Sequence, residues 1–160
     1  MNKPFTSATV RPYVFEDIDW LIETATREVP RLPNYRNVVV DPVALRFLFE
    51  KNMENKNFLT LVLCQGGRRI GGVVGKAGPC LFSFDVVVQD SFLWVDPDFR
   101  ILANVRLLIA SYLNWARSLN PTVIMASHTG GTKEDKMSLL LQREGFVPVG
   151  TLYHYRSEEL

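Results

Sequence analysis

Residues 92–106 hold the densest group of atoms in this chain that could do chemistry. Apolar Phe92, Leu93, Trp94 and Val95 run into an Asp-Pro turn at Asp96-Pro97-Asp98, then Arg100, then a long amphipathic pattern. The first turn of such a helix leaves backbone N–H groups without partners and gathers the positive end of the helix dipole at one spot. The combination reads as a seat for phosphate. Just upstream, Gln89-Asp90-Ser91 interrupts an apolar run and marks a bulge or a break, where a strand re-aims a side chain. His128 ends another apolar run and reads first as a hydrogen-bonded structural histidine. Cys64 and Cys80 form neither a Cys-x-x-Cys pair nor a zinc-spaced set with histidines, so no metal site is expected. Both lie in apolar runs and read as small buried thiols in a reducing compartment.

Elements must hold these groups in place, and the pattern supplies them. Residues 9–13 have strand character, and Ile18, Leu21, Ile22 and Ala25 recur at helical spacing until Pro30 and Pro33 end the helix. Asp41 followed by Pro42 is an N-cap with proline at the first helical position, opening a helix that runs to about Met53. Residues 58–64 and 69–76 read as a hairpin turning at Gln65-Gly66-Gly67-Arg68. Residues 80–95 form one long strand, 102–119 a helix stopped by Asn120-Pro121, and 122–127 a buried strand. A helix over 133–143 ends at Gly145, and 146–149 and 151–156 read as closing strands. The prediction is an α/β (α+β) fold with a mixed sheet of about seven strands flanked by about four helices.

At 160 residues the chain fits one domain spanning 1–160. A net charge of +1 argues against a partner bound by bulk electrostatics, which disfavours nucleic acid and a base- or tRNA-modifying role. No run reaches the length of a membrane span, and no long apolar stretch follows Met1-Asn2-Lys3-Pro4-Phe5, so no signal peptide is expected and a cytoplasmic location is.

The element order, together with several short motifs, resembles the GNAT superfamily of N-acetyltransferases over nearly the whole chain. Val10-Arg11-Pro12-Tyr13 with Asp17-Ile18 is similar to the family's opening strand and helix, and Gly71-Gly72-Val73-Val74-Gly75 to its third strand. Leu93-Trp94-Val95-Asp96-Pro97-Asp98-Phe99-Arg100 resembles the fourth strand and the start of the cofactor motif, and Glu144-Gly145-Phe146 resembles the Gly-Phe after the last helix. The general flavour is that of short bacterial and phage-borne members.

The resemblance implies acetyl transfer from acetyl-coenzyme A to a primary amine, by direct attack in a ternary complex. It places the diphosphate on Arg100, Ile101, Leu102, Ala103, Asn104, Val105 and Arg106, the stretch matching the family's phosphate loop. Val105 departs from that motif, adding β-branched bulk where the family carries glycine or alanine, while Arg100 and Arg106 add charge-assisted contacts. The backbone of Leu93, Trp94 and Val95 would pair with pantetheine and polarise the thioester carbonyl. Asp90, ten positions before Arg100, falls where several members carry a catalytic glutamate and is the expected general base. Asp85 is the reserve. The tyrosine that serves many relatives as general acid is replaced by Leu141, so Tyr153 is the expected proton donor, with Tyr155, His128 or water as alternatives. Arg31, Tyr35 and Arg36 lie in the loop that flanks the acceptor, and the arginines suit an acceptor with an anionic portion. The acceptor is a small molecule or a peptide amine, and the apolar C-terminal runs leave a homodimer open. The rival reading is a module of this fold that binds coenzyme A or a protein without turnover.

Overall fold

The structure is a computed structural model that describes residues 7–32, 35–127 and 134–150, without the side chains of Glu134 and Asp135. Its strands are β1 (Thr9–Pro12), β2 (Phe58–Gln65), β3 (Arg68–Pro79), β4 (Val86–Val95) and β5 (Val123–Met125). Its helices are α1 (Ile18–Glu28), α2 (Pro42–Asn52), α3 (Leu102–Ser118) and α4 (Glu134–Arg143). The strands lie in sequence order, antiparallel except for the parallel pair β4 and β5.

Several sequence expectations hold because local chemistry decides them. The β2–β3 turn falls at Gly66-Gly67, whose φ angles of 59° and 76° are open to glycine at no steric cost. Asp41 caps α2 through Oδ1, which accepts from the N–H groups of Val43 at 2.8 Å and Ala44 at 3.2 Å. Gly145, at φ 96°, closes α4.

Other expectations are corrected. Among the described residues the sheet has five strands rather than about seven. Residues 146–149 follow α4 without joining the sheet, and 151–156 lie outside the described residues. The long strand expected over 80–95 begins only at Val86. Cys80 N–H donates to Asp85 O at 2.8 Å and Ser83 Oγ donates to Asp85 Oδ2 at 2.7 Å, so 80–85 is a closed turn that leaves Leu81, Phe82 and Phe84 facing solvent. β5 is shorter than expected, and its ends are exposed rather than buried. Cys64 and Cys80 are free and half-buried, not buried.

Two cores face opposite sides of the sheet. Leu63, Ile70, Val73, Val88 and Val95 meet Leu108, Tyr112 and Ala116 of α3 and Leu140 and Leu141 of α4. On the other face Val62 and Trp94 meet Ile18, Leu21 and Ile22 of α1 and Phe49 of α2. Gly72 lets this second layer close. A Cβ there would sit 2.6 Å from Leu61 O and 2.7 Å from the Trp94 ring. No helix among the described residues is long and apolar enough to cross a membrane.

The start of the fold is tied by Asp17, whose side chain is fully buried. It accepts from Arg11 at 2.6 and 3.0 Å, from Arg69 Nε at 2.7 Å and from Val14 N–H at 2.9 Å. Burial pulls its carboxyl upward, but the Arg11 hydrogen bond, the Val14 amide and the charges of Arg11 and Arg69 outweigh it and hold the group below its ordinary value. A depressed carboxylate stabilises the fold above its unfolded pKa, and that contribution disappears as pH falls through the folded value. Asp17→Ala should therefore cost about 2–4 kcal/mol at pH 7, read by urea unfolding, because two arginines and an amide lose their acceptor. The difference from wild type should shrink below about pH 4.

Candidate active site

β4 has β3 beside it along its whole length but shares only Val87, Val88 and Gln89 with β5. Past Gln89 the two parallel strands part. A cleft of about 200 Å³ opens in the fork, and every residue from Asp90 to Val95 lines it. Side chains on a strand alternate between faces. What six consecutive residues have in common is the backbone edge, so the wall of this cleft is the edge of β4 that has no partner strand among the described residues.

The bulge anticipated around Asp90 is present. Val74 pairs with Phe92 and Gly75 with Asp90, so Ser91 is the extra residue. The inserted residue changes the phase of the strand. Phe92 and Trp94 turn toward α1, stacked at 5.0 Å, while Leu93 and Val95 join Val88 on the α3 side.

Asp90 is 8% exposed. Its Oδ1 accepts from Ser127 N–H at 2.8 Å and Ser127 Oγ at 3.2 Å, across the mouth of the fork. Burial pushes the carboxyl up to about 6, against the opposing pull of the Ser127 hydrogen bonds. A carboxylate tuned toward neutral pH in a cleft is a proton acceptor suited to an amine. Tyr112 of α3 lines the same cleft and donates its hydroxyl to Met125 O at 2.7 Å. Burial, then the charge of Asp90, pushes that phenol up, so it stays protonated. Gly75 leaves room for this ring: a Cβ there would stand 3.0 Å from Tyr112 and 3.1 Å from Trp115.

Of the remaining residues expected at the site, Leu93, Trp94, Val95, Arg100, Val105 and Tyr35 line the cleft, and Ile101, Leu102, Ala103, Asn104, Arg106, Arg31 and Arg36 do not. Arg100 folds back onto β4, donating from Nε and Nη2 to Val95 O at 3.1 and 3.0 Å. Asn104 is buried, and its Nδ2 donates to Phe99 O at 2.8 Å. The N–H groups of Asn104 and Val105 are bonded to Ile101 O, while no side chain caps α3. The amides of Leu102 and Ala103 have no hydrogen-bond partner among the described residues. Val105 packs its bulk against the main core. Arg106 is paired with Glu144 at 2.8 Å. Arg31 reaches Glu28 at 3.4 Å, and Arg36 is exposed. Tyr153 and His128 lie outside the described residues.

Three cleft residues had no signal in the sequence: Glu28, Tyr112 and Ser127. Glu28 lines the cleft with Leu32 and Tyr35, and accepts from Arg27 Nε at 2.6 Å.

No protein-family model matches the chain, and no curated protein matches its sequence. Solved structures do resemble it. A transcriptional regulator from Bacillus halodurans superposes with a TM-score of 0.71 at 16% identity, covering 93% of this chain and 100% of its own. An aminoglycoside N-acetyltransferase in complex with coenzyme A gives 0.67 at 16% identity over 99% of both chains. A GNAT family acetyltransferase from Staphylococcus aureus gives 0.62 at 15% identity, over 94% of this chain and 98% of its own. At such identities the likeness is one of fold. The chain has the GNAT acetyltransferase fold.

A buried carboxyl raised to about 6 destabilises the fold at neutral pH. Wild-type stability should be full near pH 4 and fall as pH rises through about 6, the reverse of the Asp17 effect. Asp90→Asn keeps an acceptor for Ser127 and removes the charge. It should stabilise the protein by about 1–3 kcal/mol at pH 7.5 and by little at pH 4, measured by urea unfolding at both.

Proposed function

We propose that this chain is an acetyl-coenzyme A-dependent N-acetyltransferase whose acceptor is a primary amine attacking directly in a ternary complex. The observation that carries the proposal is the buried Asp90 carboxylate at the fork, beside a strand edge with no partner strand among the described residues. The solved structures of the same fold include an acetyltransferase holding coenzyme A, which supports the same donor here. A cytoplasmic location accords with the free thiols of Cys64 and Cys80.

The residues fit such a donor. An α3 N-terminus without a side-chain cap offers the amides of Leu102 and Ala103 to a diphosphate. A cleft of about 200 Å³ suits the narrow pantetheine end of the molecule, with the nucleotide outside it. When bound, acetyl-coenzyme A supplies an acetyl thioester. The backbone edge of Ser91 to Trp94 would hold the pantetheine arm, with Val95 O already engaged by Arg100. The amine enters past Tyr35, Leu32 and Glu28. Its nitrogen forms the new C–N bond, the proton it sheds passes to Asp90, and the C–S bond breaks. Tyr153 returns a proton to the departing sulfur.

The test is thiol release on a panel of amines, paired with calorimetry against coenzyme A. We expect release with at least one amine, an acid limb in kcat/KM near pH 6, and a loss of about 100-fold or more in Asp90→Asn with coenzyme A binding retained. Tyr153→Phe should lower kcat with binding unchanged. Val105→Ala should tighten coenzyme A several-fold by clearing methyl groups from the seat, at a stability cost of about 1 kcal/mol for lost core contact. Binding with no release on any amine would instead establish a binding module, the reading that Leu141 and Val105 favour.

A further inference from the structure

We propose that Ser127 is a positioning residue of this site: it anchors one oxygen of Asp90 so that the other is left to exchange a proton with the acceptor. This rests on the acetyl-transfer reading for the identity of the acceptor and on geometry for the anchor itself.

The strand ladder explains why an anchor is needed. The last paired residues of the fork are Gln89 and Met125. One step further, a regular parallel ladder would continue with backbone partners on both strands. Here Ser127 N–H meets the Asp90 side chain instead, at 2.8 Å, and Ser127 Oγ adds a second bond at 3.2 Å to the same Oδ1. Oδ2 carries neither bond. A carboxylate held by two donors on one oxygen cannot rotate freely, so the orientation of Oδ2 is set by where the chain leaves β5. The bond from Tyr112 to Met125 O fixes that departure from the other side, two residues earlier. Ser127 and Asp90 both line the cleft, so the anchor lies where the proton would move.

Among the described residues few other groups face Asp90. Tyr112 faces it from α3, β3 presents Gly75 opposite, and α4 contributes apolar Met137 and Leu141. Glu28, Tyr35 and Arg100 line the cleft beyond. Ser127 supplies the hydrogen bonds that reach the carboxylate from another element, its bonds favour the charged form, and the Asp90 backbone N–H adds a smaller pull in the same direction.

The test is a carbon-13 carboxyl titration of Asp90 in the full chain, for wild type, Ser127→Ala and Ser127→Thr, alongside kcat/KM against pH. Ser127→Ala should move the Asp90 titration upward by about 0.5–1 in pH, with the acid limb of kcat/KM moving by the same amount. Ser127→Thr should restore both, and calorimetry should show coenzyme A binding unchanged in either variant. An Asp90 titration unmoved by Ser127→Ala, or an alanine variant that loses activity equally at every pH, would overturn the proposal. A displaced titration with no thiol release from any amine would uphold the anchor and overturn the acetyl-transfer reading.

Discussion

β4 gives its whole length to β3 and three residues to β5, and the arrangement of the site follows from that unequal sharing. Backbone N–H and C=O groups that lose a strand partner must find water, a side chain or a ligand. At the near end of the gap the Asp90 side chain takes up Ser127 N–H, and at the far end the Arg100 guanidinium takes up Val95 O. The stretch between is the exposed edge that an extended ligand can complete as if it were a strand. The near end of that edge is therefore defined by a side chain of β4 itself and the far end by one from the turn that follows it.

The two buried carboxylates among the described residues, Asp17 and Asp90, have opposite settings. The Asp17 cluster joins β1, β3 and the start of α1, where every carboxylate oxygen has a donor and the charge is stabilising. Asp90 is the opposite case: buried, with donors on one oxygen, and held as a less comfortable anion. Two apolar layers on either face of the sheet offset that cost. A site that stores such strain is a common mark of function, because a group made fully comfortable has little reason to change its protonation.

Much of this was legible in the residues. The Gly66-Gly67 turn, the Asp41-Pro42 cap and the strand–turn–helix around Asp96-Pro97 are local chemistry, and local chemistry is what a sequence states directly. The bulge at Asp90 was legible because polar Gln89-Asp90-Ser91 breaks an apolar run. The start of β4 was not, since Leu81, Phe82 and Phe84 have strand composition and point to solvent, and the bonds of Asp85 to Cys80 and Ser83 reveal the turn. The acceptor side misled for a similar reason. Arg31 reads as a free cation, but one turn of helix brings Glu28 to it, and the same happens to Arg106 across 38 residues through Glu144. Ser127 and Tyr112 act through partners 37 and 13 residues away, a relation no local pattern encodes.

The phosphate corner shows how far a degenerate motif can depart before its physics changes. A seat built from helix amides needs unbonded N–H groups and room for an anion to approach them. Asn104 meets neither need, since its amide is bonded to Ile101 O and its side chain is committed to Phe99 O. Val105 is also bonded, and its side chain packs against the core while still lining the cleft. Arg106 is drawn off by Glu144. What is left is the dipole of a 17-residue helix and the first amides of its opening turn, Leu102 and Ala103, with Arg100 close by on Val95 O. An anion arriving here competes with a backbone carbonyl for Arg100, and that carbonyl belongs to the strand edge beside it.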